Sequence, residues 1–236
     1  SRTKTGSLIQ TCQDGVMPIT DRRRDDALSR ALIVATAVEM LDATGERGLT
    51  VRGLAAKLKT GLGALYWHVQ NKSDVLVAAT DAVLAEALTA DTADLEPEDA
   101  IRAVALGVFD AFDAHPWIGV QLSRLSSQPT TVQIFERLGR HLQALGVPDD
   151  TQFDAAAALL NYVLGVAGQN AALAASVEPG TVRSDVLASV SDAWSDLDPT
   201  DYAFTRRVAA QLRDHDDRDQ FLAGVNWLLA GITARS

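Results

Sequence analysis

Between residues 43 and 72 the chain concentrates side chains suited to gripping a polyanion. Five cations, Arg47, Arg52, Lys57, Lys59 and Lys72, stand there against one anion, Glu46. Tyr66, His68 and Lys72 can hold phosphates, which fixes register without reading sequence. Arg52 suits bidentate contact with a guanine edge, and the small or apolar Leu62, Gly63 and Ala64 would let a backbone approach bases and meet thymine methyls. Thr60 and Trp67 complete this set of candidate contacts to double-stranded DNA. Other chemistry is not signalled. No two histidines fall at metal spacing with a carboxylate, and no phosphate loop, nucleophile elbow or Cys–His pair is evident. No catalytic residue, metal ligand or cofactor is therefore expected.

Short helices must position these residues. Thr50 is placed to cap a helix from Val51 to Leu58, and Thr60 to cap a second from Leu62 to Val69. Leu65 and Val69, at i and i+4, should face inward against Leu54 and Leu58. Two short helices joined by a tight turn in a basic stretch describe a helix-turn-helix. A helix from Asp25, carrying Leu28, Leu32, Ala35, Val38, Met40 and Leu41, precedes it and ends at the Gly45-Glu46-Arg47-Gly48 turn. Asn71 or Ser73 then caps a long helix through Val75, Leu76, Ala79, Val83, Leu84 and Leu88.

Beyond Pro97 the pattern stays helical. Ile101 to Phe112 form one stripe, stopped at His115-Pro116, and a short helix covers about 117–125. Another runs from Pro129 through Ile134, Phe135, Leu138 and Leu142 to Gly146. Residues 152–175 are apolar almost all round and predict a helix buried on several sides. Residues 177–200, rich in Ser, Asp, Pro and Gly, read as a long loop, and a terminal helix spans Gln220 to Ala234. Arg124, Asn161, Gln169 and Asn170 are polar on otherwise apolar helices, which makes them candidates for a ligand pocket. Gln169 and Asn170 fit equally well as hydrogen bonds across a dimer interface. His115 fits a helix-end cap or a gate to a pocket, and His141 and His215 read as surface groups.

Composition sets the frame. The 236 residues are 47% hydrophobic and only 6% aromatic, which favours an all-α fold, and the single cysteine, Cys12, excludes an internal disulfide framework. No apolar run approaches the roughly 18 to 20 residues that a membrane span needs. A soluble, cytoplasmic protein without membrane partners is the expectation. The net charge of −10 is uneven: residues 1–75 hold 11 Lys and Arg against 8 Asp and Glu, and residues 76–236 hold 10 against 23. A mildly basic head on an acidic body suits a chain that meets phosphates at one end. The organisation expected is a flexible arm (1–20), a helix-turn-helix domain (21–75) and a helical body (76–236).

The run from Gly48 to Leu58, followed by Ala64-Leu65-Tyr66-Trp67-His68-Val69-Gln70-Asn71-Lys72, resembles the DNA-binding head of the tetracycline-repressor family over residues 25–75. The body resembles that family's ligand-binding and dimerisation domain more weakly, through Gln128-Pro129-Thr130, Asn161 to Gly165 and Phe221 to Ile232. The resemblance implies a homodimer that binds palindromic operators and releases them when a small-molecule effector enters the body. It implies a cavity among helices that carry Phe109, Phe112, Trp117, Phe135 and Tyr162. Where tetracycline-binding members read bases with glutamine, proline and threonine, this chain has Leu62, Gly63 and Ala64, so the operator should differ. Where such members contact the drug and its metal, this chain has Leu88, Val104, Val108 and, near the metal histidine, Arg124. Tetracycline is therefore not the expected effector. The lysine-poor, Ala- and Arg-rich composition suits a high-GC bacterial genome. Two other readings stay open at this stage: a helical ligand-binding protein or enzyme with a vestigial helix-turn-helix, and an activator or architectural protein that shares the head.

Overall fold

The computed structural model describes residues 28–121, 129–176 and 180–234. The expected arm at 1–20, Asp25 and Asp26, and the pocket candidate Arg124 lie outside the described residues. Ten α-helices and no strand occur among those described. Ser29 starts α1 (Arg30–Gly48) by accepting a hydrogen bond from Leu32 N at 3.1 Å. The helical path breaks at Gly45, whose φ of 63° and ψ of −175° form a backbone state that glycine alone adopts without strain. The expected turn is thus present, with one more helical turn beyond it.

Next come α2 (Val51–Lys57), α3 (Leu62–Tyr66) and α4 (Lys72–Ala87). The boundary expected at residue 75 falls inside the first turn of α4, a single continuous helix that carries the N-terminal unit into the body. Asn71, not Ser73, caps α4, with its side chain accepting from Asp74 N at 2.9 Å.

The body packs α5 (Pro97–Ala114), α6 (Pro129–Ala144), α7 (Asp149–Ser176) and α10 (Asp217–Thr233) through stripes at helical spacing. Ile134, Leu138 and Leu142 are buried on α6, Ala155, Leu159, Val163, Ala167 and Ala171 on α7, and Phe221, Val225 and Leu229 on α10. The stretch expected to hold a short helix at 117–125 is a 3-10 helix, Pro116–Gln121, as far as the described residues go.

Two expectations need correction. Residues 177–200 are not a long loop, because α8 (Arg183–Ser195) occupies most of them, followed by α9 (Ala203–Val208) and a 3-10 helix, Ala209–Leu212. Val186, Val190 and Trp194 repeat every four residues there, a signal masked by the surrounding Ser and Asp. Buried Ser191 donates to Ala209 O at 2.9 Å and so joins the two segments. Second, α7 does contain an 18-residue stretch of mean hydropathy 1.2, long and apolar enough by composition to cross a membrane. Here one face of that stretch is the core seam of the body.

The Pro116–Gln121 helix and α7 come together backbone against backbone. A Cβ built on Gly119 would sit 2.8 Å from Gly168 O and 2.9 Å from Ala172 N. Both neighbours are backbone and cannot swing aside. Gly119→Ala should therefore destabilise the protein by about 1–3 kcal/mol through overpacking, seen as a lower midpoint in thermal unfolding followed by circular dichroism.

Candidate nucleic-acid interface and its tie to the body

Thr50 begins the unit as expected, with Oγ1 accepting from Gly53 N at 3.0 Å. Such a cap contributes about 1 kcal/mol. Leu54 and Ala55 are buried beneath it. At the far end of α2, Lys59 N donates to Ala56 O and Thr60 N to Ala55 O, at 3.1 and 3.0 Å, which closes the helix and turns the chain towards α3. Gly61, not Thr60, is the cap residue of α3, and no side chain bonds there. Thr60 is half-buried.

Leu65 and Val69 are buried, as their spacing predicts. That orientation turns Leu62, Gly63, Ala64, Tyr66 and Trp67 outward, and Trp67 is 88% exposed. Open space surrounds Gly63, with nothing within 4 Å of where a Cβ would stand. Arg52 is exposed beside this row, at the start of α2. Six of the nine candidate contacts thus share one outward surface. The other three are partly engaged within the protein. His68 is half-buried and its carbonyl accepts from Arg30 Nη1 at 2.7 Å, while Arg30 also pairs with Asp74 at 3.6 Å. Lys72 Nζ donates to Glu46 O at 2.5 Å, so its charge sits on the C-terminal end of α1. The bracing role of Arg30 left no mark in the sequence, since nothing local links residue 30 to residue 68.

The N-terminal unit is fastened to the body at two places. Asp42 Oδ1 of α1 accepts from Trp117 Nε1 and pairs with His115 Nδ1, both at 2.7 Å. One turn further on, Glu46 Oε2 accepts from Gln121 Nε2 at 2.8 Å. The second fastening lies on α4, where Asp81 Oδ1 accepts from Thr130 N at 3.0 Å and from the Thr130 hydroxyl, and so holds the start of α6. His115 is therefore a link between units rather than a helix-end cap alone.

The pocket candidates scatter. Val104, Val108, Phe112 and Trp117 are buried in one continuous core, with Phe135 and Tyr162 partly buried against it. Trp117 spends its one donor on Asp42. The Tyr162 ring stacks on Phe221 and its hydroxyl donates to Phe221 O at 3.1 Å, and burial raises its pKa above the ordinary tyrosine value. Asn161 and Gln169 are exposed and do not join that core. Asn170, in contrast, keeps a buried Nδ2 with no hydrogen-bond partner among the described residues.

Comparison with known proteins places this geometry. No protein-family model matches the chain. A solved structure of SCO7222, a TetR from Streptomyces coelicolor, is 53% identical and superposes with a TM-score of 0.78 over 88% of this chain and 99% of that one. The chain belongs to the TetR family of transcriptional regulators. Two further solved TetR-type structures align at lower identity. ActR from Streptomyces coelicolor in complex with actinorhodin is 25% identical (TM-score 0.72, covering 88% and 98%), and BioQ of Mycobacterium smegmatis with its double-stranded DNA operator is 27% identical (TM-score 0.57, covering 88% and 99%). A curated HTH-type transcriptional regulator from Saccharopolyspora erythraea is 34% identical over 149 residues, and that match spans 63% of this chain and 63% of the relative.

The unpaired amide of Asn170 has an energetic consequence. A buried donor without a partner costs about 1–3 kcal/mol, and leucine has nearly the same shape without that donor. Asn170→Leu is expected to raise the thermal midpoint. A lower midpoint would mean that the amide is satisfied in solution.

Proposed function

We propose that this TetR-family chain is a repressor that binds palindromic operator DNA as a homodimer in the bacterial cytoplasm and lets go when a small molecule other than tetracycline binds its body. The observation that carries the reading is the single outward surface of Arg52, Leu62, Gly63, Ala64, Tyr66 and Trp67, held from behind by buried Leu65 and Val69. Such a surface suits a major groove, with α3 against base edges and Arg52 aimed at guanine. The solved complex of BioQ with its double-stranded DNA operator supports operator binding.

Dimerisation is assigned to α7 and α10. Phe153, Leu173 and Trp227 are exposed on them, Trp227 at 78%, and a groove of about 410 Å³ runs beside Trp227 between Val147, Thr151, Leu228 and Ile232. Pairing these helices with a second copy would bury apolar surface in a four-helix arrangement. Two heads then meet successive major grooves about 34–36 Å apart.

The actinorhodin complex of ActR supports a small-molecule effector, and its binding is assigned to the body around Val104, Val108, Phe112, Phe135 and Tyr162, with Asn170 as the polar anchor. A ligand that favours the released state by a few kcal/mol would move the Pro116–Gln121 helix or α4 and break the half-site spacing. No catalytic role is proposed.

Selection from a randomised duplex pool, repeated with Arg52→Ala, tests the reading. A palindrome should emerge for the wild type, and the variant should lose about 1–3 kcal/mol and relax its preference at one base pair per half-site. Salt-sensitive binding without an enriched motif would overturn it.

A further inference from the structure

Two helices of this chain end in the same hydrogen-bonded motif but with different residues at its left-handed position. At the end of α6, Gly146 N donates to Gln143 O and Val147 N to Leu142 O, and Gly146 has a φ of 79°. At the end of α2 the same two bonds are made by Lys59 and Thr60, and Lys59 has a φ of 52°. That position favours glycine, because any Cβ crowds the backbone there. Lys59 is the one non-glycine residue with positive φ among the described residues. The turn itself therefore gives no reason for a lysine.

Nor does the surrounding charge pattern. Lys57 pairs with Glu39 at 2.9 Å, Lys72 rests on Glu46 O, and Arg30 is held by His68 O and Asp74. The Lys59 side chain is exposed and has no ion pair or hydrogen bond among the described residues. It stands in the turn that delivers the chain to Gly61 and the outward row of α3. The turn fixes where the Lys59 side chain leaves the backbone, at the lip of that row, and its unpaired ammonium is free to reach a duplex phosphate.

We propose that Lys59 is a phosphate contact of the operator complex, a strained turn residue that sets how far α3 sits in the groove. This rests on the DNA-binding reading above. The test is titration of the selected palindrome, and of an unrelated duplex, at a series of salt concentrations with wild type, Lys59→Gly and Lys59→Gln. Each neutralised phosphate contributes about 0.9 to the slope of log affinity against log salt, so both variants should lose about 1.8 per dimer on both duplexes. Lys59→Gly should also melt higher than Lys59→Gln, because glycine relieves the backbone. Slopes equal to wild type in both variants would overturn the proposal while leaving the DNA-binding reading intact. A wild type that binds no duplex would overturn both.

Discussion

Among the contacts that place the N-terminal unit, one short segment, the 3-10 helix Pro116–Gln121, touches both sides. On one side Gly119 lies against the backbone of α7, at the closeness that only a missing Cβ permits. On the other side the segment and its flanking His115 reach across to Asp42 and Glu46 of α1. A shift of α7 or of the segment must therefore either move α1 or break charge-assisted hydrogen bonds, which are among the stronger polar contacts a protein makes. The bond from Thr130 to Asp81 gives α4 a second fixed point. With both in place, the outward surface of α3 has a defined direction relative to α7 and α10.

Electrostatics are arranged to the same end. Three of the six cations described in the N-terminal unit are used internally: Lys57 on Glu39, Lys72 on a helix end, Arg30 on the turn after α3. That leaves Arg47, Arg52 and Lys59 exposed. Beyond residue 75 the chain carries 23 acidic residues against 10 basic ones, so the body as a whole disfavours a polyanion.

Local signals were readable in the sequence and long-range ones were not. Thr50, Asn71, Gly146 and Pro116 announce helix ends because capping and proline chemistry act within a few residues. The inward pair Leu65 and Val69 follows from spacing alone. By contrast, the bracing of the His68 carbonyl by Arg30 and the joining of Trp117 to Asp42 span 38 and 75 positions, and neither residue type advertises its partner. Residues 183–195 hid a helix because serine and aspartate, good turn formers, outnumber the apolar repeat beneath them. The pocket was the least legible part. Asn161 and Gln169 share the apolar helix with Asn170, but only the last turns its amide out of solvent.

Contacts from the body to Asp42 hold the outward surface of α3 in place, and Asp42→Ala removes them. Affinity should be measured for the full palindrome and for a duplex carrying a single half-site. With the latch broken but the reading surface intact, half-site affinity should stay unchanged while palindrome affinity falls about tenfold, ~1.4 kcal/mol, because two loosened heads no longer meet both grooves without an ordering cost. An unchanged palindrome affinity, or an equal fall on both duplexes, would show that the Asp42 contacts do not hold that surface.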